Sequence, residues 1–83
     1  MIFLIEYNRS EGRMVSPPHV FDESEREKAR EARLNLELDL NRKGIDHEVV
    51  LLEALSEAAL RKTHRRYFES LSEIGKSFGD LAK

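Results

Sequence analysis

The sequence predicts a small α+β domain with two layers, in which a three-stranded, mainly antiparallel sheet of order 2-1-3 packs with two helices in the topology ββαβα. Residues 2–5, which are apolar throughout, and residues 47–53, which have an apolar middle, predict strands. Two segments with helical periodicity predict the helices, and they begin after Asp22 and Ser56. The order of these elements along the chain gives the topology.

The first strand is predicted to lie in the middle of the sheet. Residues 2–5 are apolar at every position, which is typical of a strand that is buried on both faces. Residues 8–12 have the composition of a turn. Residues 13–15 then form the second strand, which must end or lie at an edge before the proline pair that follows, because proline cannot donate to the ladder. We expect residues 47–53 to pair antiparallel with the first strand on its other side.

The first helix has recognisable ends. Asp22 with Glu25 matches a capping box, and Gly44 follows a basic last turn. Leucines at every second position of residues 34–40 would also fit a strand that is buried on one face. We favour the helix because Leu, Glu, Ala and Arg are helix formers and the segment contains no β-branched residue. On the sequence alone, both alternatives stay open.

As a helix, this segment carries two apolar stripes that lie nearly opposite each other. The stripe that faces the sheet consists of Ala29, Ala32, Leu36 and Leu40. The other stripe, Leu34 and Leu38, needs a different surface to bury it, and we expect a second copy of the chain. If both helices lie on one face of the sheet, the other face is open and also needs a partner. Alternatively, the helices divide between the two faces.

The last helix begins at Ser56 and carries an apolar stripe with heptad spacing. This stripe consists of Leu60, His64, Tyr67, Leu71, Ile74, Phe78 and Leu81. A helix that continues to the end of the chain is longer than the sheet, so the part beyond Leu71 overhangs it. We therefore divide the chain into a single α+β domain, residues 1–72, and a C-terminal helix extension or frayed tail, residues 73–83. We expect Leu71, Ile74 and Phe78 to make contacts between two copies.

The composition excludes several classes of site and location. The 83 residues contain no cysteine, which excludes disulfides, zinc–thiolate sites and cysteine nucleophiles. Charged residues make up 36% of the chain but leave a net charge of −2, which argues against a dedicated nucleic-acid binder. No apolar run is long enough for a membrane span or a signal peptide, so we expect a soluble, cytoplasmic protein. Small domains without disulfides often gain core by associating, and we expect a homodimer.

Two groups of side chains near the last helix are candidates for ligand contacts. His64 and Tyr67 share a face of the helix and could line a pocket with Glu53 of the third strand, where such groups could do acid–base work. The opposite face of the helix is basic. Its possible phosphate contacts are Arg61, Lys62, Arg65 and Arg66. The histidines lack paired metal-ligand spacing, so we predict no metal site, no cofactor and no catalytic set.

These observations favour a small homo-oligomeric interaction or regulatory module. The first alternative is a small-molecule-binding protein or an enzyme with a pocket between the sheet and the last helix. The second alternative is a weak nucleic-acid binder that uses the basic face of the last helix. No residue pattern in the chain specifies a substrate, and we assign no enzymatic activity.

Overall fold

The first strand of the chain is the central strand of the sheet. The computed structural model describes residues 1–69, in which all strand pairs are antiparallel. Short 3₁₀ turns, Glu23–Glu25 and Arg65–Tyr67, precede the first helix and follow the second. The helices and strands are β1 (Ile2–Asn8), β2 (Arg13–Met14), β3 (His19–Phe21), α1 (Arg26–Lys43), β4 (His47–Glu53) and α2 (Glu57–Thr63). The α+β class and the order of the predicted elements are confirmed.

Strand β1 pairs with β4 over its whole length, from Ile2 opposite Glu53 to Asn8 opposite His47. Its other edge is divided between two short strands, since β2 pairs with the C-terminal end of β1 and β3 with the N-terminal end. This arrangement confirms the predicted order, with the first strand in the middle. Strand β3 is not among the predicted elements, because three residues directly after Pro18 are too few to show an alternating pattern.

The helical segment has the ends that the sequence predicts, although its capping box lies on the 3₁₀ turn Glu23–Glu25, which leads into α1 at Arg26. The Asp22 side chain accepts a hydrogen bond from the backbone N–H of Ser24, and the Glu25 side chain accepts one from the backbone N–H of Asp22, which completes the capping box. Gly44 ends the helix with φ 70°, in the left-handed region that glycine adopts without steric cost. The helix is continuous between these ends, so residues 34–40 are helical and the strand alternative is excluded.

The two helices lie on opposite faces of the sheet. On one face, Ile2 and Phe21 pack with Ala29 of α1. On the other face, the buried cluster consists of Phe3, Ile5, Tyr7, Leu60 and Tyr67. Successive residues of β1 therefore enter different cores, which is why this strand is apolar at every position of residues 2–5. The sequence leaves open whether both helices lie on one face of the sheet or divide between its two faces, and the structure has them on different faces. Within residues 1–69, both faces of β1 are therefore covered.

Helix α2 is shorter than the sequence predicts. The Ser56 side chain caps it as expected, but the helix ends at Thr63, so the expectation that the helix continues along the predicted stripe is wrong for residues 64–69. His64 leaves the helical region with φ −127° and ψ 52°, and the 3₁₀ turn after it directs Tyr67 into the core. The predicted heptad stripe is therefore interrupted. Its later members, Leu71, Ile74, Phe78 and Leu81, and the extension 73–83 lie outside the described residues.

We expect Gly44→Ala to lower the free energy of unfolding by about 1–2 kcal/mol, because an alanine in the left-handed region brings its Cβ against its own backbone. A Cβ added at Gly44 meets no other atom within 4 Å, so the cost comes from the backbone conformation alone. Gly44→Asn is the matched control and should recover part of the loss, since Asn tolerates this region. Urea denaturation measures both differences, and equal stability of the wild type and Gly44→Ala would contradict the assigned cap.

Candidate functional site

A polar cluster lies between β4 and the turn that follows α2. Its centre is Glu48 on β4, whose side chain is only 15% exposed. The Tyr67 hydroxyl donates to one carboxylate oxygen of Glu48 at 2.5 Å, and Arg66 donates to the same oxygen at 2.8 Å. Arg9, in the turn after β1, donates to the second oxygen at 3.4 Å. Both oxygens are therefore bonded, and the cluster fastens the turn to the sheet.

The hydrogen bonds of this cluster set the protonation states of its members. Hydrogen bonds from Tyr67 and Arg66 hold the pKa of Glu48 below that of an ordinary glutamate, although burial acts in the opposite direction. Burial raises the pKa of the Tyr67 hydroxyl, and its hydrogen bond to Glu48 raises that pKa further. At neutral pH the carboxylate is thus ionised and the phenol keeps its proton. Because donor and acceptor are committed to each other, we assign the cluster a structural role.

The residues of the predicted pocket do not come together. Tyr67 and His64 are neighbours, with ring centroids 6.4 Å apart, but Glu53 pairs with Arg26 at the start of α1, on the opposite face of the sheet. The carboxylate beside Tyr67 is Glu48 instead. Two geometric reasons explain the separation. Side chains alternate between faces along β4, and α2 runs back along the sheet, away from the end of the strand where Glu53 lies.

The histidines are dispersed over the domain. The Nδ1 atom of His47 lies 2.6 Å from a carboxylate oxygen of Glu6, and both side chains are 17% exposed. The Nδ1 atom of His64 lies 2.8 Å from the Thr63 hydroxyl, and the His19 ring packs against a phenylalanine of the same strand. Among residues 1–69, no group of three or more His, Asp or Glu side chains is placed to hold a metal ion.

The basic residues of the predicted phosphate surface are divided between two sites. The Arg66 guanidinium is drawn toward Glu48 and lies 4.3 Å from the centre of the Tyr67 ring. The remaining residues line a shallow hollow of about 510 Å³, together with one aromatic and one acidic residue: Arg61, Lys62, Arg65, Phe68 and Glu69. Within it, Arg61 lies over the Phe68 ring at 4.6 Å. Arg65 pairs with Glu69 at 3.0 Å, which reduces the charge that a phosphate would meet.

Two leucines are exposed on the outer side of α1. Leu34 and Leu38 are 55% and 51% exposed, whereas Leu40 on the side that faces the sheet is buried. The two predicted stripes of α1 thus lie on two different sides of the helix. Ion pairs within the helix, such as Arg33 with Glu37 at 3.0 Å, flank the leucines. Leu34 and Leu38 therefore form a small apolar patch on an otherwise charged surface.

The outer edge of β4 pairs with no strand among residues 1–69. The backbone N–H of Ala54 donates to the carbonyl of Met1. Because residues of an antiparallel strand alternate between bonding to the partner strand and facing away from it, this bond fixes which residues of β4 bond to β1. In this alternation, Glu48, Val50 and Leu52 bond to β1. The backbone groups directed outward are those of His47, Val49, Leu51 and Glu53. Strand β4 contains no Pro, Gly or Lys, and its charged residues, Glu48 and Glu53, are bonded to side chains of their own chain.

The opposite edge of the sheet is interrupted. Strands β2 and β3 are two and three residues long, and the segment between them contains Pro17 and Pro18. Very short strands and prolines are features that prevent the pairing of an edge with another chain. Of the two edges, only that of β4 offers a regular strand of seven residues.

No protein-family model, curated protein or solved structure matches this chain. Within residues 1–69, no helix has the length and apolar character that crossing a membrane requires. The features of the described residues that bear on function are the polar cluster, the exposed leucines and the edge of β4.

We expect Tyr67→Phe to lower the free energy of unfolding at neutral pH by about 1–3 kcal/mol, because Glu48 loses the donor that contributes most to its low pKa. A carboxylate with a lowered pKa stabilises the fold above the ordinary glutamate pKa of 4.5, and this stabilisation is lost as the pH falls through the lower value of the folded state. The difference between the two proteins should therefore shrink in acid.

Tyr7→Phe is the matched control for this substitution. The Tyr7 ring packs edge-on against Tyr67 with centroids 5.3 Å apart. Within residues 1–69, the Tyr7 hydroxyl makes no hydrogen bond like the one that the Tyr67 hydroxyl donates to Glu48. Urea denaturation between neutral pH and about pH 3 measures the stability of all three proteins. A loss in Tyr67→Phe that is the same at every pH would contradict the assigned bond to Glu48.

Proposed function

We propose that this chain is a small self-associating interaction module that acts through the outer edge of β4. The observation that carries the proposal is the contrast between the two edges of the sheet. Strand β4 presents a regular strand of seven residues without Pro, Gly or Lys, whereas β2 and β3 are short and separated by prolines. An edge strand of this kind is a template for main-chain hydrogen bonds to another strand. If the module is regulatory, the dimer acts by binding another molecule or by blocking a site on it.

The polar side chains support an interaction role more than a chemical one. Glu48 and Tyr67 are bonded to each other, and Glu53 is held by Arg26 on the other face. A small-molecule site or an active site needs convergent polar groups in a concave pocket. The residues considered for that alternative, Glu53, His64 and Tyr67, do not converge. The proposal therefore rests on backbone groups and not on side-chain chemistry.

The leucine patch on α1 supports association as a secondary contact. A standard interface buries roughly 800 Å² on each partner, which is far more than two half-exposed leucines provide. Leu34 and Leu38 therefore add to an interface that another surface must dominate. Leu71, Ile74 and Phe78 remain predicted contacts, and the cytoplasmic location remains a prediction.

A weak phosphate or nucleic-acid role is the second alternative, and one observation favours it. Phe68 lies among Arg61, Lys62 and Arg65, as stacking aromatics lie among cations in single-strand binders. The cation–π contact of Arg61 already occupies the Phe68 ring, and Arg65 is paired with Glu69. Both contacts would have to be exchanged for a ligand, so we rank this role below self-association.

We expect the chain to sediment as a dimer of its 9.7 kDa protomer at high concentration and to dissociate on dilution. The physical reason is mass action on an interface built from hydrogen bonds at one strand edge. Sedimentation equilibrium over a wide range of protein concentration measures the mass directly. A monomer at every concentration would contradict the proposed self-association.

Substitution of both Leu34 and Leu38 by Glu measures how much the leucine patch of α1 contributes to the affinity of the dimer. We expect the dimer to persist, with a loss of affinity below about tenfold, because these substitutions leave β4 unchanged. Asn35→Glu with Asn41→Glu is the matched control, since both asparagines are exposed on the same helix and the added charge is equal. If only the leucine variant is monomeric, the interface lies on α1 and the role proposed for β4 is wrong.

A further inference from the structure

We infer that the partner of the β4 edge is β4 of a second copy of this chain, paired antiparallel about a two-fold axis at Val50. This inference rests on the proposed self-association and adds the identity of the partner strand and its register. Two-fold symmetry is the commonest form of homo-oligomer, and it requires that one surface be complementary to itself. Strand β4 meets this requirement in its backbone and in its side chains.

The backbone groups of β4 match in this register. Residue 47 lies opposite residue 53 of the second copy, and residue 49 lies opposite residue 51. All the residues that direct their N–H and C=O groups outward therefore face one another as hydrogen-bonded pairs. Registers centred on residue 49 or 51 leave one end of each strand beyond the partner strand. Only the register at Val50 uses all seven residues of β4.

The side chains match in the same register. On the α1 face, His47 lies opposite Glu53 of the second copy, and Val49 lies opposite Leu51. On the other face, Val50 meets Val50 at the symmetry axis. Apolar cross-strand pairs and pairs of opposite polarity each contribute to strand pairing, whereas like charges directly opposite oppose it.

Both helix layers reach this side of the sheet. Helix α1 packs more on β4 than on β1 or β3. On the other face, the cluster around Leu60 and Tyr67 extends from Val50 and Leu52 on β4 across β1 to Met14 on β2. The charged side chain of Glu48 is turned into its own cluster and is only 15% exposed. In the proposed pairing, the second strand meets backbone groups of β4 that bond to no strand of residues 1–69.

Cysteine substitution reads the register directly, because the native chain contains no cysteine. At the axis, Val50→Cys places two thiols in a non-hydrogen-bonded pair with Cα atoms about 4.5 Å apart, within the range that a disulfide spans. Val49→Cys and Leu51→Cys are the matched controls. In the same register their own copies are offset by two residues and lie about 8–9 Å apart, beyond the reach of a disulfide.

We expect Val50→Cys to oxidise to a covalent dimer at least about tenfold faster than either control, because pairing gives its thiols a high effective concentration. Non-reducing electrophoresis at matched protein concentrations measures the rates. A faster reaction at residue 49 or 51 overturns the register at Val50. A Val50→Cys protein that oxidises no faster than the controls overturns the inference, provided that its mass in sedimentation is that of the wild type.

Hydrogen exchange on the unsubstituted chain is the second readout. In the dimer, the amides of Val49 and Leu51 exchange slowly, and dilution accelerates them while the amides of Val50 and Leu52, which bond to β1, stay protected. A dimer whose outward amides exchange rapidly overturns the inference and leaves the proposed self-association intact. Protection of those amides that does not change on dilution means that one chain covers its own edge, and it also overturns the inference. A monomer in sedimentation overturns both proposals.

Discussion

Ile2, Phe3 and Ile5 of strand β1 are almost fully buried, although neighbouring side chains along a strand point to opposite sides of a sheet. Water must therefore be excluded from both sides of one strand, and the rest of the domain is arranged to do so. Helix α1 covers the side of Ile2, and the segment that begins with α2 covers the side of Phe3 and Ile5. Burial of each such side chain contributes about 1.5–3 kcal/mol, which is a large share of the core of a domain this small.

The need to cover the second side explains the shape of the chain after β4. Helix α2 is only seven residues long and buries Leu60, and the ring of Tyr67 extends the cover by packing edge-on against Tyr7. A tyrosine in this position carries its hydroxyl below the surface, where it needs an acceptor. Glu48 supplies that acceptor from the same side of β4. The polar cluster is thus a result of how the apolar side is closed.

The sequence predicts those ends of helices and strands that depend on neighbouring residues. Examples are the capping box, the end of the first helix at Gly44 and both ends of β4. The end of α2 could not be predicted, because the residues after Thr63 are compatible with a helix and only a tertiary contact, from Tyr67 to Glu48, draws the turn inward. The place of Glu53 likewise depends on the direction of α2 and on the face of β4, which no single segment encodes. The open edge of β4 also could not be predicted from one segment, because the position of a strand at an edge depends on how all the strands pair.

The interrupted edge made by β2 and β3 also determines how far strand pairing can proceed. A protein with two competent edges adds copies at both ends, and the product is an open-ended fibre. Within residues 1–69, Pro17 and Pro18 separate two strands that are too short to pair independently. In the dimer that we propose, the two copies of β4 occupy each other, and the interrupted edges offer no regular strand for a third copy. The proposed mode of association would therefore end at two molecules and would not form a fibre.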